Sequence, residues 1–186
     1  MIMQQTLRVG VYDWAQFASD GGFYPDDLPA EWRLPFFANE FESACVGLSE
    51  QILQTADDLE WLQDLPAGFR LYFDEQPLRQ SKSELLPQLK NFKTVLSAAG
   101  VAGAENFIDA SEWWTPDAPN DSCLALLPGD ASARQYRGWI EQWMAQPIEP
   151  VAADDGQQER ILWLRGDTAR PATLTECRTL VELMGF

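Results

Sequence analysis

The chain has 186 residues, with 13 Lys or Arg, 29 Asp or Glu and no His, for a formal charge of −16. Its length suits one domain, and 46% apolar with 23% charged residues is a globular composition, so wholesale disorder is excluded. So acidic a surface repels nucleic-acid phosphates and anionic membranes, and the lack of His excludes Ser-His-Asp and Cys-His catalysis and His-ligated zinc.

The chain alternates short apolar runs with helix-like stretches. Leu7 to Tyr12 reads as a first strand, and Ser19-Asp20-Gly21-Gly22 as a loop. Ala30 to Phe41 reads as a helix that Pro35 bends or delays, and Ser43 to Leu48 as a second strand. Thr55-Ala56-Asp57-Asp58 has capping-box spacing and predicts a helix running to Leu65, stopped by Pro66-Ala67-Gly68. Phe69 to Phe73 is a third strand. Leu85, Leu89, Phe92 and Leu96 fall on one face of a helix that Gly100 ends.

Asn106 to Asp109 is a short strand candidate, and Cys123 to Leu127 a buried strand closed by Pro128-Gly129. Ser132 can cap a helix on which Tyr136, Trp139, Ile140 and Trp143 share a face. Pro147 to Gln158 is the most loop-like stretch. Ile161 to Leu164 is the last strand, and Thr173-Leu174-Thr175-Glu176 spells a capping box before the final apolar face of Leu174, Cys177, Val181 and Met184. Strands alternating with helices predict an α/β fold with a mainly parallel sheet, either closing as a barrel or open and doubly wound. A closed eight-unit barrel usually needs roughly 250 residues.

Cys45, Cys123 and Cys177 are far apart in apolar surroundings, which predicts buried thiols in a reducing, cytoplasmic setting. No export signal and no apolar run of about 20 residues is visible, so no membrane span is expected. Asn120-Asp121-Ser122 and Arg165-Gly166-Asp167 match a glycosylation acceptor and an adhesion tripeptide, but neither carries weight in that setting. Phosphate-gripping glycine loops, nucleophile elbows and basic stripes are absent, so no cofactor and no nucleic-acid partner is expected.

One ordered series of residues goes further. Leu7-Arg8-Val9-Gly10, Trp14, Phe23-Tyr24-Pro25, Leu28-Pro29, Phe36-Phe37-Ala38 and Phe41-Glu42, then Trp61, Leu62 and Pro66 to Arg70, resemble the N-terminal part of domain of unknown function 72, the YecE-like family. Phe107 to Ser111, Leu124 to Gly129 and Ile161 to Met184 are similar to its last three βα units, and the fourth and fifth have no counterpart. The resemblance implies a TIM-barrel-like fold shortened to about six units. It also implies lost function. Where the family has Glu-x-Asn after its second strand, this chain has Cys45 and Gly47. Asp74 replaces a Lys, Leu126-Leu127-Pro128-Gly129 an Arg-x-His-Gly, and Arg165-Gly166 an Asn-Asn.

The strand ends still offer Asp13, Ser49, Glu50, Asp74, Glu75, Asp109, Glu112, Asp130, Arg165 and Asp167. If Asp13, Asp74 and Asp167 converge on one mouth, they suit carboxylate-pair catalysis or hold a divalent cation. Tyr12, Trp14, Trp113 and Trp114 would supply stacking surface, with Glu50 and Arg165 as further binding groups. The plainer alternative is that these acids cap helices and keep the surface hydrated. Two functions follow: a non-catalytic binding or interaction module, or a carboxylate-dependent hydrolase, with or without Mg²⁺, acting on a neutral or cationic polar small molecule such as a sugar. Loss of two barrel units would also leave edges that a homodimer can cover.

Overall fold

In the computed structural model, which describes residues 5–17, 22–57, 59, 62, 64–147, 151–152 and 158–186, the apolar runs become strands β1 (Gln5–Tyr12), β2 (Ser43–Gly47), β3 (Arg70–Asp74), β4 (Phe107–Ile108), β5 (Leu124–Leu127), β6 (Val151–Ala152) and β7 (Gln158–Arg165). The helices are α1 (Trp14–Phe17), α2 (Arg33–Glu40), α3 (Glu50–Leu53), α4 (Lys82–Ala98), α5 (Ala133–Met144) and α6 (Pro171–Leu183). The fold is α/β, and every strand pairing below is parallel except that of β6. The chain divides into two compact units: residues 1–23 with 112–186, and residues 24–111.

In the first unit β7 is central. It pairs in parallel with β1 from Gln5↔Gln158 to Tyr12↔Arg165, and with β5 from Leu124↔Ile161 to Leu127↔Leu164. The first strand of the chain therefore lies beside the last. Ile161, Leu162, Trp163 and Leu164 are all buried, so β7 is covered on both faces, as a central parallel strand must be. Arg8 of β1 bonds Glu159 of β7 across the sheet. Helix α6 packs on β1 and against α5.

Helix α5 starts as expected. The Ser132 hydroxyl accepts from the Gln135 amide, and the Gln135 carboxamide accepts from Ser132 N–H in return. Its inner face is Tyr136, Ile140 and Trp143, all fully buried, whereas Trp139 is half-buried with its ring edge-on to Tyr136 at 6.0 Å. The helix ends on Arg160 of β7, whose guanidinium donates to the carbonyls of Trp143 (2.8 Å) and Gln146 (3.1 Å). Arg160 is 5% exposed and lies over the Trp143 ring. Arg160→Met keeps the packing and removes both carbonyl contacts; urea unfolding is expected to register a loss of about 1–2 kcal/mol.

The second unit carries β2, β3 and β4 in sequential order. β2 pairs with β3 from Ser43↔Arg70 to Gly47↔Asp74, and β3 with β4 at Phe73↔Phe107 and Asp74↔Ile108. The predicted stripe Leu85, Leu89, Phe92 and Leu96 is buried on α4. Phe92 meets Phe73 edge-on at 5.5 Å, and Phe73 stacks on Phe107 at 5.1 Å. Gly100, at φ 69°, takes the left-handed turn that ends this helix, with Val101 N–H on the Leu96 carbonyl.

Three expectations are corrected. The helical segment after β2 begins at Ser49, whose hydroxyl accepts from Ile52 N–H, and Thr55 lies inside a following 3-10 turn with its hydroxyl donating to the Ile52 carbonyl. Residues 58, 60, 61 and 63 of the predicted continuation lie outside the described residues, as do 19–21 of the predicted loop. The final helix begins at Pro171 after Arg170, so Thr173 is not its cap. Proline's fixed φ and missing N–H suit a first helical position. Within the predicted loop 147–158, Val151 and Ala152 pair antiparallel with Glu159 and Gln158; residues 148–150 and 153–157 lie outside the described residues.

Candidate functional site

The C-terminal ends of β1 and β7 hold most of the candidate residues of the first unit. Register sets Tyr12 beside Arg165, and Gly166 N–H donates to the Tyr12 carbonyl at 2.7 Å. Asp13 takes φ 61°, a left-handed conformation that Asp tolerates better than most side chains, and turns the chain into Trp14. A Cβ on Gly166 would stand 2.5 Å from both the Tyr12 and Asp13 carbonyl oxygens, so only glycine permits this approach. Neighbouring loops close in similarly. Gly129 N–H donates to the Thr168 hydroxyl at 3.0 Å, and Ala169 N–H to the Arg165 carbonyl at 2.8 Å.

Tyr12 is half-buried, with its ring 5.6 Å from Trp113 in an edge-on contact, and Trp113 lies 4.9 Å from Trp163. Trp113 is 2% exposed and its indole N–H has no acceptor among the described residues. Arg165 and Asp167 are exposed and face each other at 3.7 Å. Asp13 and Trp14 are half-buried. Tyr12, Asp13, Trp14, Trp113, Arg165 and Asp167 thus belong to one unit, five of them at the C-terminal ends of β1 and β7 or in the residues that follow.

Asp74 and Glu50 belong to the other unit. Asp74 closes β3 and is fully buried. Its Oδ1 accepts from the backbone amides of Gln76 and Ala110, each at 2.9 Å, while its own carbonyl accepts from Leu48 N–H. One carboxylate therefore ties together the turn after β3 and the segment after β4. The local half of this tie is an Asx turn, in which Asp74 accepts from the amide two residues on, ahead of Pro77. Glu50 is exposed on the first turn of α3, where its carboxylate accepts weakly from the Gln54 side chain at 3.4 Å. Of the family-pattern substitutions, Cys45 is fully buried among apolar strand residues.

Two charge groups flank Asp74. Arg79 donates to Asp109 at 2.8 Å and to the Ser111 hydroxyl at 2.6 Å. Glu75, with a side chain 12% exposed, accepts from Lys82 and from Lys93, whose ammonium lies over the Phe107 ring. Burial pushes the Glu75 carboxyl up, but the two lysine hydrogen bonds outweigh it and hold the group below its ordinary 4.5. A depressed carboxyl stabilises the fold above its unfolded value and loses that contribution as pH falls through the folded one. Glu75→Gln is therefore expected to cost about 1 kcal/mol at pH 7, a gap that closes in denaturation curves taken progressively below pH 4.5.

Among the described residues, no group of three or more His, Cys, Asp or Glu could hold a metal ion, and no helix is long and apolar enough to cross a membrane. All three cysteines are free thiols, Cys45 and Cys177 buried and Cys123 half-buried. Burial pushes the Cys177 thiol up to about 12. No family model, no curated protein and no solved structure matches this chain.

Proposed function

We propose that this chain is a non-catalytic binding or interaction module, built on a shortened TIM-barrel-like scaffold related to the YecE-like family and working in the cytoplasm. The pairing of the last strand with the first, and the stepwise order β2, β3, β4, support a barrel-derived progression over a doubly wound one. Free thiols support a reducing compartment.

The observation that carries the non-catalytic reading is Asp74. A carboxylate with no exposed surface, accepting two backbone amides, has no face left for a substrate. The first unit agrees, because its strand ends are drawn together by the Gly166 N–H on the Tyr12 carbonyl and the Gly129 N–H on the Thr168 hydroxyl. Any small-molecule ligand would meet the surface at Tyr12 and Trp14, with Arg165 and Asp167 beside it, while Trp113 lies buried behind Tyr12.

The hydrolase reading keeps one point in its favour. Gly166, which precedes Asp167, lies against the backbone carbonyl of Asp13, so two acids sit on adjoining turns. A panel of chromogenic glycosides, esters and phosphate esters, assayed with and without Mg²⁺, separates the two. The wild-type chain is expected to give no turnover above buffer. Turnover that disappears in Asp13→Asn or Asp167→Asn would establish the hydrolase instead.

A further inference from the structure

The chain has eight tryptophans. Trp113, Trp114, Trp143 and Trp163 are buried, Trp14 and Trp139 half-buried, and Trp32 alone among the described residues is exposed, at 56%. An indole left in water is costly, and Trp is the side chain most often found as an interface anchor. Trp32 ends a 3-10 turn (Ala30–Trp32) and leads directly into α2, whose inner face is Leu34, Pro35, Phe37 and Ala38. It therefore stands on the outer side of a helix already packed by other residues.

Its position is fixed from below. Leu28 N–H bonds the Pro25 carbonyl at 3.0 Å, and Trp32 N–H bonds the Pro29 carbonyl at 3.1 Å, so two consecutive turns, each opened by a proline, present the ring. Those turns also carry Asp26, Asp27 and Glu31, all exposed and with no ion-pair partner among the described residues. The neighbouring cation, Arg33, is directed elsewhere, with its guanidinium 5.5 Å over the Tyr24 ring. An exposed aromatic residue thus shares two short turns with three carboxylates that have no ion-pair partner among the described residues.

We propose that Trp32, with Asp26, Asp27 and Glu31, anchors a docking surface for a cationic, aliphatic segment of another protein. Charge decides the occupant. A second copy would bring its own −16, and nucleic acid or an anionic membrane would be repelled by the same carboxylates. A Lys or Arg side chain gains three times over: its charge meets the acids, its cation sits over the indole, and its methylene stem covers apolar surface. The inference rests on the interaction-module reading, yet it fails separately, since the turnover assay does not involve Trp32.

The test follows the indole N–H cross-peak of Trp32, assigned with Trp32→Phe, in ¹⁵N–¹H spectra of the whole chain. The probes are a capped Lys-Leu-Lys-Leu-Lys peptide, its Glu-Leu-Glu-Leu-Glu counterpart, and spermidine. The cationic peptide is expected to move the Trp32 peak most among the tryptophans. Its binding should weaken about tenfold in Trp32→Ala and in the triple variant D26N/D27N/E31Q, whose exposed positions leave folding intact. Spermidine and the anionic peptide should move the peak little. The proposal is overturned if Trp32 does not respond, if spermidine matches the peptide, or if sedimentation finds a dimer that Trp32→Ala abolishes.

Discussion

Asp74→Ala is expected to destabilise the protein by about 3–5 kcal/mol, because it removes a buried charged acceptor from two part-buried backbone amides, each such bond contributing about 1.5–3 kcal/mol. The carboxylate is fully buried, and its Oδ1 takes the Gln76 and Ala110 amides at 2.9 Å each. These residues are distant in sequence, so the deletion loosens two connections at once. For a chain of this size the effect corresponds to roughly 10 °C in Tm. Asp74→Asn retains an amide oxygen as acceptor and should cost clearly less. Paired urea denaturation curves check this ordering; equal losses, or a loss under about 1 kcal/mol in Asp74→Ala, would show that the bonds contribute little to the fold.

Gly166→Ala should cost about 2–4 kcal/mol by a different route. The new Cβ would stand 2.5 Å from two backbone oxygens, those of Tyr12 and Asp13, and neither belongs to a flexible side chain. Relief requires β1 and β7 to part at their C-terminal ends, where Gly166 N–H now bonds the Tyr12 carbonyl at 2.7 Å. Gly138 provides the control. It lies in α5, where an added Cβ would meet nothing within 4 Å, so Gly138→Ala should stabilise by about 0.5–1 kcal/mol through helix propensity. Thermal melts of the two variants should move in opposite directions. Movement in the same direction would contradict the close approach at Gly166.

Local signals in the sequence were good guides where local chemistry decides. The four-residue and three-residue steps of Leu85, Leu89, Phe92 and Leu96 define the buried face of α4, and Ser132 caps α5 through its own hydroxyl. Apolar runs located β1, β2, β3, β5 and β7 to within a few residues. Caps misled where two signals competed: the Thr173-to-Glu176 spacing imitates a capping box, but Pro171 starts the helix two residues earlier. Antiparallel pairing of Val151 and Ala152 with β7 rests on backbone bonds that composition does not encode.

The candidate site divides along the same line. Tyr12 with Arg165, and Arg165 with Asp167, are neighbours by register or by sequence, so their grouping was readable. The role of Asp74 was not, since an acid at a strand end looks identical whether it faces solvent or closes a turn. Its outcome depends on Ala110, which sits 36 positions away in the chain. Trp32 was equally silent. Exposure is a property of the packed helix beneath it, and only the inward turn of Leu34, Phe37 and Ala38 reveals which side is left out.

Hydrogen exchange at the Gln76 and Ala110 amides tests most directly whether the strand-end acid serves the fold. Both protons should exchange slowly in the wild-type chain at neutral pH and speed up together in Asp74→Ala, while amides in α5 keep their rates. Fast exchange at both positions in the unmodified protein would mean that the Asp74 carboxylate is open to solvent and available for chemistry, and would contradict its role as a structural tie.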